Sequence, residues 1–153
     1  MKHYFVVNPL AGKGIKVEEL SASIKKNCEE RNADYEIYLT KSVGDAEKFI
    51  RNTCRKYENS DVVCRFYACG GDGTLNRFAN DTAGIDIRQE ILYFPMGTGN
   101  DFAKDLGKDA FENPFPVTKH LKDLPSVEVN GKQYRFINGV GFGIDGYCCQ
   151  VGD

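Results

Sequence analysis

Two glycine-rich segments of this 153-residue sequence combine the residue types that phosphate chemistry needs. The first, residues 68–76, reads Ala-Cys-Gly-Gly-Asp-Gly-Thr-Leu-Asn and lies between an apolar run typical of a buried strand and a helix-compatible run. Backbone N–H groups between a strand end and a helix start are free to bind an anion, and glycine lets a phosphate approach them closely. The segment therefore predicts a phosphate site.

The carboxylate of Asp72 is unexpected among N–H groups that favour phosphate, because it would repel the anion. A cation between the two charges, or a hydroxyl that donates to Asp72, would remove the conflict. Both arrangements belong to phosphoryl transfer, where Mg²⁺ offsets charge and an acidic residue orients the acceptor. The structural alternative is that Asp72 caps the helix that follows it.

The second glycine-rich segment repeats this arrangement further along the chain. It reads Pro-Met-Gly-Thr-Gly-Asn-Asp-Phe-Ala from Pro95 and follows another apolar run, residues 90–95. The apolar spacing after it predicts a short helix that ends at Gly107. Two such corners favour a phosphate site over an isolated structural turn.

Together the two motifs closely resemble those of the diacylglycerol kinase catalytic-domain family, which includes bacterial lipid kinases, sphingosine kinases and ceramide kinases. The resemblance extends to Asn8-Pro9 with the Gly12-Lys13 loop, and to residues 136–145. More distantly, the Asn-Pro and Gly-Gly-Asp-Gly-Thr elements are shared with NAD kinases, whose fold is related. The second glycine segment favours the lipid kinases.

The resemblance implies an enzyme that transfers the γ-phosphoryl group of ATP to a lipid hydroxyl, on diacylglycerol or a related lipid, with ATP and Mg²⁺ as cofactors. Asp72 would be the catalytic residue, and Asp72 and Asp101 would hold Mg²⁺ through water. Glycine backbone and threonine hydroxyls would bind phosphates, Lys13 would bring a positive charge, and asparagines would brace the loops. The expected ATP-binding residues are Asn8, Gly12, Lys13, Thr40, Gly70, Gly71, Asp72, Gly73, Thr74, Asn76, Gly97, Thr98, Gly99 and Asn100.

Two departures from the family pattern leave the general base open. Lipid kinases of this type usually carry an aspartate just before the predicted hairpin, and neither Asp123 nor Glu128 has the right spacing. The acidic residue often credited with activating the lipid hydroxyl belongs to a second domain, so Asp72 could be a magnesium-water ligand and not the base.

Two functions other than lipid kinase stay open. One is a NAD kinase-like enzyme with a soluble acceptor, and the other is a non-enzymatic nucleotide-binding module.

The elements that would position these residues alternate between strands and helices. Strands are predicted at residues 4–7, 35–40, 62–69 and 90–95, with helices between them from about 17, 42 and 74. This order predicts an α/β fold, a mostly parallel Rossmann-like sheet with helices on both faces. Ligands gather at the carboxyl ends of such strands, where Asn8, Thr40, Gly70 and Gly97 would meet.

The pattern changes after Gly107. Residues 109–116 have no periodicity and predict a loop, a short helix is expected near 117–121, and Asn130-Gly131 between alternating runs predicts a hairpin over 127–137. We therefore expect an ATP-binding domain at 1–124 and, at 125–153, the first strands of an incomplete, truncated β-rich second domain. Such a chain alone is expected to bind nucleotide weakly, to lack kinase activity and to tend to dimerise.

Composition narrows the class of partner. The formal net charge is −2 with both signs interspersed, which argues against nucleic acid as a partner. No stretch approaches the length of a membrane span, and the first residues are too short for a signal peptide. The expectation is a cytoplasmic protein that can form a homodimer and that works at the membrane surface because its acceptor is a lipid.

Overall fold

The computed structural model describes residues 1–10, 17–84, 90–108 and 113–141. Strands and helices alternate along most of this range. The elements are β1 (Lys2–Val7), α1 (Val17–Glu30), β2 (Asp34–Leu39), α2 (Asp45–Lys56), β3 (Cys64–Gly70), α3 (Asp72–Asp81), β4 (Glu90–Pro95), α4 (Asp101–Asp105), β5 (Phe115–Pro116), α5 (Thr118–Lys122), β6 (Ser126–Val129) and β7 (Lys132–Arg135).

The main sheet has the strand order β2-β1-β3-β4-β5. Strands β1 to β4 are all parallel to their neighbours, and β5 pairs antiparallel with β4. The predicted, mostly parallel α/β sheet is confirmed. The prediction of a loop over 109–116 is wrong at Phe115, which is buried 5.8 Å from the Tyr93 ring, and residues 109–112 lie outside the described part.

Helices cover both faces of the sheet, as alternation of strand side chains requires. On one face Leu20, Ile24 and Cys28 of α1 recur every fourth residue and pack against Phe5 and other side chains of the sheet. The opposite face carries the larger cluster, which includes residues of α2, α3, α4 and α5. No helix in the described ranges has the length and apolarity needed to cross a bilayer.

Two element boundaries near the first glycine-rich segment differ from the prediction. Strand β3 begins at Cys64 and not at Val62, because Val62 and Val63 are exposed before the buried part of the strand. Helix α3 begins at Asp72, with Gly71 in the N-cap position and no side-chain cap. The idea that Asp72 caps the helix that follows it is therefore wrong.

The predicted hairpin is confirmed, with shorter strands. Strands β6 and β7 pair antiparallel as a separate two-stranded sheet. Asn130 and Gly131 both have positive φ, 51° and 74°, which is the geometry of a tight two-residue hairpin turn. This hairpin lies against helix α3, which links it to the glycine-rich segment at the other end of that helix.

Candidate functional site

A cavity of about 300 Å³ lies at the carboxyl edge of the parallel sheet. The ends of β1 and β2, the start of α2 and one face of α3 form its walls. The lining residues are Val6, Asn8, Thr40, Ser42, Ala46, Gly71, Gly73, Thr74, Arg77, Phe78 and Asp81. Of the residues expected from the sequence, the cavity thus brings together Asn8, Thr40, Gly71, Gly73 and Thr74.

Asn8 and Thr40 are held side by side by the pairing of β1 with β2. The Thr40 N–H donates to the Val7 carbonyl at 2.9 Å, which continues the ladder past the strand ends. The Asn8 side-chain oxygen accepts from the Leu10 N–H at 3.0 Å and so turns the chain away from the sheet. Two polar residues consequently face the cavity from neighbouring strand ends.

The two glycine-rich segments contact each other through their backbones. A Cβ atom at Gly97 would lie 2.6 Å from the Gly71 Cα, and one at Gly71 would lie 3.2 Å from the Gly97 Cα. The Gly70 carbonyl accepts from the Met96 N–H at 2.8 Å, and a side chain at Gly70 would overlap Thr74. Glycine is needed here for close backbone approach.

Asp72 joins the two segments through its side chain. Its carboxylate oxygens accept from the N–H groups of Asp101 and Phe102, at 2.8 and 3.2 Å. These donors are the first residues of α4, whose N-cap residue makes no side-chain cap of its own. Asp72 therefore caps a helix that begins about thirty residues further along the chain.

The carboxylates of Asp72 and Asp101 both lie close to Gly99. A Cβ atom at Gly99 would be 3.6 Å from Asp72 Oδ2 and 3.8 Å from Asp101 Oδ2. Asp101 also pairs with Lys104 at 3.5 Å. Over the described residues no three His, Cys, Asp or Glu side chains cluster around a common point, so a metal held by protein ligands alone has no site there. Two carboxylates fit Mg²⁺, which commonly takes one or two protein carboxylates and completes its shell with water and phosphate oxygens.

Three other residues expected at the site lie away from the cavity. Asn100 is buried, has φ of 53° and uses both ends of its amide on Gly97, at 2.9 Å to the N–H and 2.6 Å to the carbonyl. Asn76 accepts from the Ile137 N–H at 3.2 Å and so faces the hairpin. Thr98 is exposed on the second segment. Gly12 and Lys13 lie outside the described residues.

Helix α3 places two charged residues in the cavity that the sequence reasoning did not select. Thr74, Arg77, Phe78 and Asp81 all line it, at steps of three and four residues. The sequence alone could have pointed to Arg77 and Asp81, because residues at these spacings from Thr74 share one face of a helix. Arg77 and Asp81 extend the lining from the glycine-rich corner to the far end of α3.

Asp81 is electrostatically the most unusual residue of the cavity. Burial raises the pKa of its carboxyl group, Glu47 raises it further, and Arg77 lowers it. One carboxylate oxygen, Oδ2, is fully buried and has no hydrogen-bond partner in the part of the chain that the structure describes. A buried acceptor without a donor is costly, so this group merits a functional explanation.

The hairpin is fastened to the far end of α3 by Arg135 and Asn80. The Arg135 N–H donates to Asn80 Oδ1 at 2.8 Å, and the Asn80 amide donates to the Arg135 carbonyl at 2.8 Å. The Arg135 guanidinium donates to the carbonyls of Leu121, at 2.8 Å, and Ala79. Helix α3 thus contacts the hairpin at one end and the second glycine-rich segment at the other.

The fold and the cavity define an α/β protein with a candidate ligand site at the carboxyl edge of a parallel sheet, beside two glycine corners that contact each other. The family model of the diacylglycerol kinase catalytic domain matches residues 2–129, and the chain belongs to this family.

Relatives at the level of whole proteins support the assignment. The chain is 36% identical over 101 residues to diacylglycerol kinases of Staphylococcus aureus strains JH9 and Newman, covering 66% of this chain and 30% of each relative. Two solved structures from Bacillus anthracis str. Sterne, each described as a "putative diacylglycerol kinase", match with a TM-score of 0.50 and 32% identity over 69% of this chain. The match covers 34% and 36% of those chains, so this chain spans roughly a third of the length of these relatives.

Proposed function

We propose that the cavity binds Mg-ATP and that the full gene product transfers the γ-phosphoryl group to the hydroxyl of diacylglycerol or a related lipid. The observation that carries this proposal is the joining of the two glycine-rich segments by Asp72 beside the cavity. Phosphoryl transfer depends mainly on positioning and on charge stabilisation. A rigid corner with a carboxylate at its centre supplies both.

The phosphates are assigned to the start of α3. Gly71 is the N-cap residue of this ten-residue helix, and Gly73 and Thr74 lie in its first turn. The free N–H groups of a helix start and the positive end of its dipole favour an anion, and the Thr74 hydroxyl adds a donor. Asn8 and Thr40 face the same space from the neighbouring strand ends.

Magnesium is assigned to Asp72 and Asp101, whose carboxylates both lie close to Gly99. When bound, Mg²⁺ would offset the charge of the phosphates. The chain's own contribution is to hold the Asp72 carboxylate through two backbone N–H groups and to place Asp101, whose side chain is exposed, at the start of α4. For Lys13, family resemblance alone supports a role, which is to bring a positive charge to the phosphates.

The acceptor is a lipid in this proposal because the family is that of the diacylglycerol kinases. A lipid acceptor places the reaction at a membrane surface. The division between an ATP-binding part, residues 1–124, and a following β-rich part agrees with the hairpin forming its own sheet. A soluble acceptor such as NAD is the second candidate, since the Asn-Pro and Gly-Gly-Asp-Gly-Thr elements occur in NAD kinases as well.

Gly73→Ala is the sharpest test of the phosphate assignment. A Cβ atom at Gly73 would meet no other atom within 4 Å, so the variant should fold normally and gain up to about 1 kcal/mol from the better helix former. The added methyl group would, however, keep a phosphate from the backbone. We expect the Kd for Mg-ATP, measured by titration calorimetry, to rise about tenfold or more.

Gly139→Ala is the matched control, because a Cβ atom there also meets nothing within 4 Å and the position lies outside the cavity lining. Its affinity for Mg-ATP should equal that of the original chain. If Gly73→Ala binds Mg-ATP as tightly as Gly139→Ala does, the phosphates do not lie on the start of α3. If the original chain, folded and at millimolar Mg-ATP, shows neither heat nor a thermal shift, the nucleotide proposal fails altogether.

A further inference from the structure

The orientation of the β6–β7 hairpin on the rest of the protein is set by hydrogen bonds. Every strand residue of the hairpin is exposed except Val127 and Arg135, which are partly buried. Leu124 and Ile137, which lie on either side of the hairpin in sequence, are partly buried against the larger core cluster. Apolar burial is non-directional, whereas a hydrogen bond has a preferred angle. The polar contacts of the hairpin therefore decide how it is oriented.

Asn80 binds the backbone of β7 as a neighbouring strand would. Its Oδ1 accepts from the Arg135 N–H and its amide donates to the Arg135 carbonyl, both at 2.8 Å. Exchange of both bonds with one residue is the pattern of a hydrogen-bonded pair in an antiparallel sheet. One turn earlier on α3, Asn76 accepts from the Ile137 N–H at 3.2 Å. This face of α3 thus takes the place of a third strand at the edge of the hairpin.

Arg135 adds a second attachment through its side chain. The guanidinium donates to the Ala79 carbonyl in α3 and to the Leu121 carbonyl in α5, the latter at 2.8 Å. A guanidinium is planar and presents its donors in a fixed geometry, so bonds to two helices restrict where it can lie. Arg135 is therefore held on α3 through both its backbone and its side chain.

Helix α3 is the rigid support of these contacts. Leu75, Phe78 and Ala79 are buried in the larger core cluster, and the ten residues of the helix span about 15 Å. Thr74, in the first turn, belongs to the proposed phosphate site, and Asn80 lies less than two turns further on. The hairpin and the proposed phosphate site consequently share one helix, so the orientation of the hairpin on α3 also fixes its position relative to the phosphates.

We propose that Asn80 is a positioning residue for phosphoryl transfer. It holds the hairpin, and the β-rich part that begins with it, in the orientation that places the acceptor hydroxyl in line with the γ-phosphate. This role rests on the proposed lipid kinase function and adds to it a residue outside the cavity lining. A misplacement of about 1 Å that originates far from the reacting atoms can cost about a hundredfold in rate, so a loosened hairpin should lower turnover.

The test is Asn80→Ala in the full gene product. The variant loses both bonds to Arg135, and α3 should persist because alanine is the better helix former. Titration calorimetry gives the Kd of Mg-ATP and the number of binding sites, and a kinase assay on diacylglycerol in mixed micelles gives the turnover per site. We expect an unchanged Kd, because Asn80 does not line the cavity, and a fall of about tenfold or more in turnover per site.

Asn27→Ala is the matched control. Asn27 and Asn80 each donate to the carbonyl four residues earlier, that of Ser23 and that of Asn76, at 2.9 Å. Because Asn27 is exposed on α1, its substitution removes this helical bond and leaves the hairpin contacts intact. The control should keep both the Kd of Mg-ATP and the turnover per site.

Asn80→Asp replaces Asn80→Ala if the alanine variant does not fold. One carboxylate oxygen still accepts from the Arg135 N–H, while the donor to the Arg135 carbonyl is lost. Turnover per site should then fall to a smaller extent, again with an unchanged Kd.

Turnover per site separates positioning from stability. A merely structural Asn80 would lower the number of Mg-ATP sites and leave the turnover of each site unchanged, and that result would overturn the proposal. A raised Kd for Mg-ATP would also overturn it, because the effect would then lie on the nucleotide. Both results leave the lipid kinase function standing. Absence of lipid phosphorylation by the original gene product would overturn that function and the role of Asn80 together.

Discussion

Asp72 caps the start of α4 whether or not it also binds Mg²⁺. It holds the start of α4 by two hydrogen bonds, which explains a carboxylate at this position on structural grounds alone. A loss of activity on removing Asp72 would therefore not by itself prove a chemical role. The informative substitution is the one that changes the charge and keeps most of the cap.

Asp72→Asn makes that separation. An amide has one accepting oxygen, so one of the two N–H groups loses its partner and the free energy of unfolding should fall by about 1 kcal/mol. If Asp72 also serves magnesium or the acceptor hydroxyl, lipid phosphorylation by the full gene product should fall by a hundredfold or more, by analogy with the loss of a key charge-stabilising group. Chemical denaturation and a kinase assay measure the two effects.

Asp105→Asn is the control for Asp72→Asn, because Asp105 is exposed and lies on the same short helix α4. It should change neither stability nor turnover. Near-normal turnover in Asp72→Asn, together with the small loss of stability, would reduce Asp72 to its structural role.

Asp81 gives a prediction about pH. Because burial and Glu47 raise its pKa in the folded protein, the folded state favours the protonated form. The stabilisation linked to that proton is fully present below the ordinary aspartate pKa and is lost as pH rises through the raised value. Asp81→Asn mimics the neutral form, so it should have a higher melting temperature than the original chain at about pH 7. The difference between the two melting temperatures should shrink towards about pH 4. A melting temperature of Asp81→Asn below that of the original chain at neutral pH would contradict the raised pKa of Asp81.

The sequence was sufficient to find residues of the first glycine-rich segment that line the cavity, and insufficient to find their partners. Gly71, Gly73 and Thr74 follow from a local pattern of strand, glycine and helix, and the cavity brings them together. The contact of Asp72 with the start of α4 depends on how two strand ends approach in space, which no local pattern encodes. Asp81 was missed because its chemistry comes from burial.

At the scale of elements, the close contact of the two glycine corners explains why both are needed. Strands β3 and β4 are neighbours and their registers pair Gly70 with Pro95, so the loops after them must cross at backbone distance. Any side chain at Gly97 would push the corners apart. The cavity wall formed by Gly71 would move with them.

Gly97→Ala should therefore destabilise the protein by about 1–3 kcal/mol, the usual cost of overpacking, and also weaken Mg-ATP binding. Denaturant titration and calorimetry measure the two effects. Gly139→Ala, with open space around its Cβ atom, should change neither. A Gly97→Ala variant with original stability would mean that a Cβ atom at Gly97 does not come within 2.6 Å of the Gly71 Cα.

The elements themselves were predicted well where the periodicity was long and poorly where it was short. Helix α1 and strands β1, β2 and β4 follow from apolar spacing, and the β6–β7 turn follows from Asn130-Gly131. Strand β5 has only two residues, too few to show a period, and it pairs because Phe115 is buried beside Tyr93. Contacts between residues far apart in sequence, such as Asn80 with Arg135, could not be predicted from any local pattern.

At the scale of the whole molecule, the described cavity has walls from the sheet edge and from α2 and α3. In-line transfer to a lipid also requires a surface that positions the acceptor and excludes water. The β6–β7 hairpin lies on α3, and two strands alone are marginally stable in water. We expect further β structure to join it in the active protein, and the proposed lipid phosphorylation is therefore to be measured on the full gene product.

The most direct test of the central claim is phosphate transfer from γ-radiolabelled Mg-ATP by the full gene product, offered diacylglycerol in mixed micelles and NAD in the same reaction. The account predicts label in the extracted lipid, none in NADP, and loss of the lipid signal in Asp72→Asn but not in Asp105→Asn. Label in NADP with none in the lipid would contradict the account, because the same cavity would then serve a soluble acceptor.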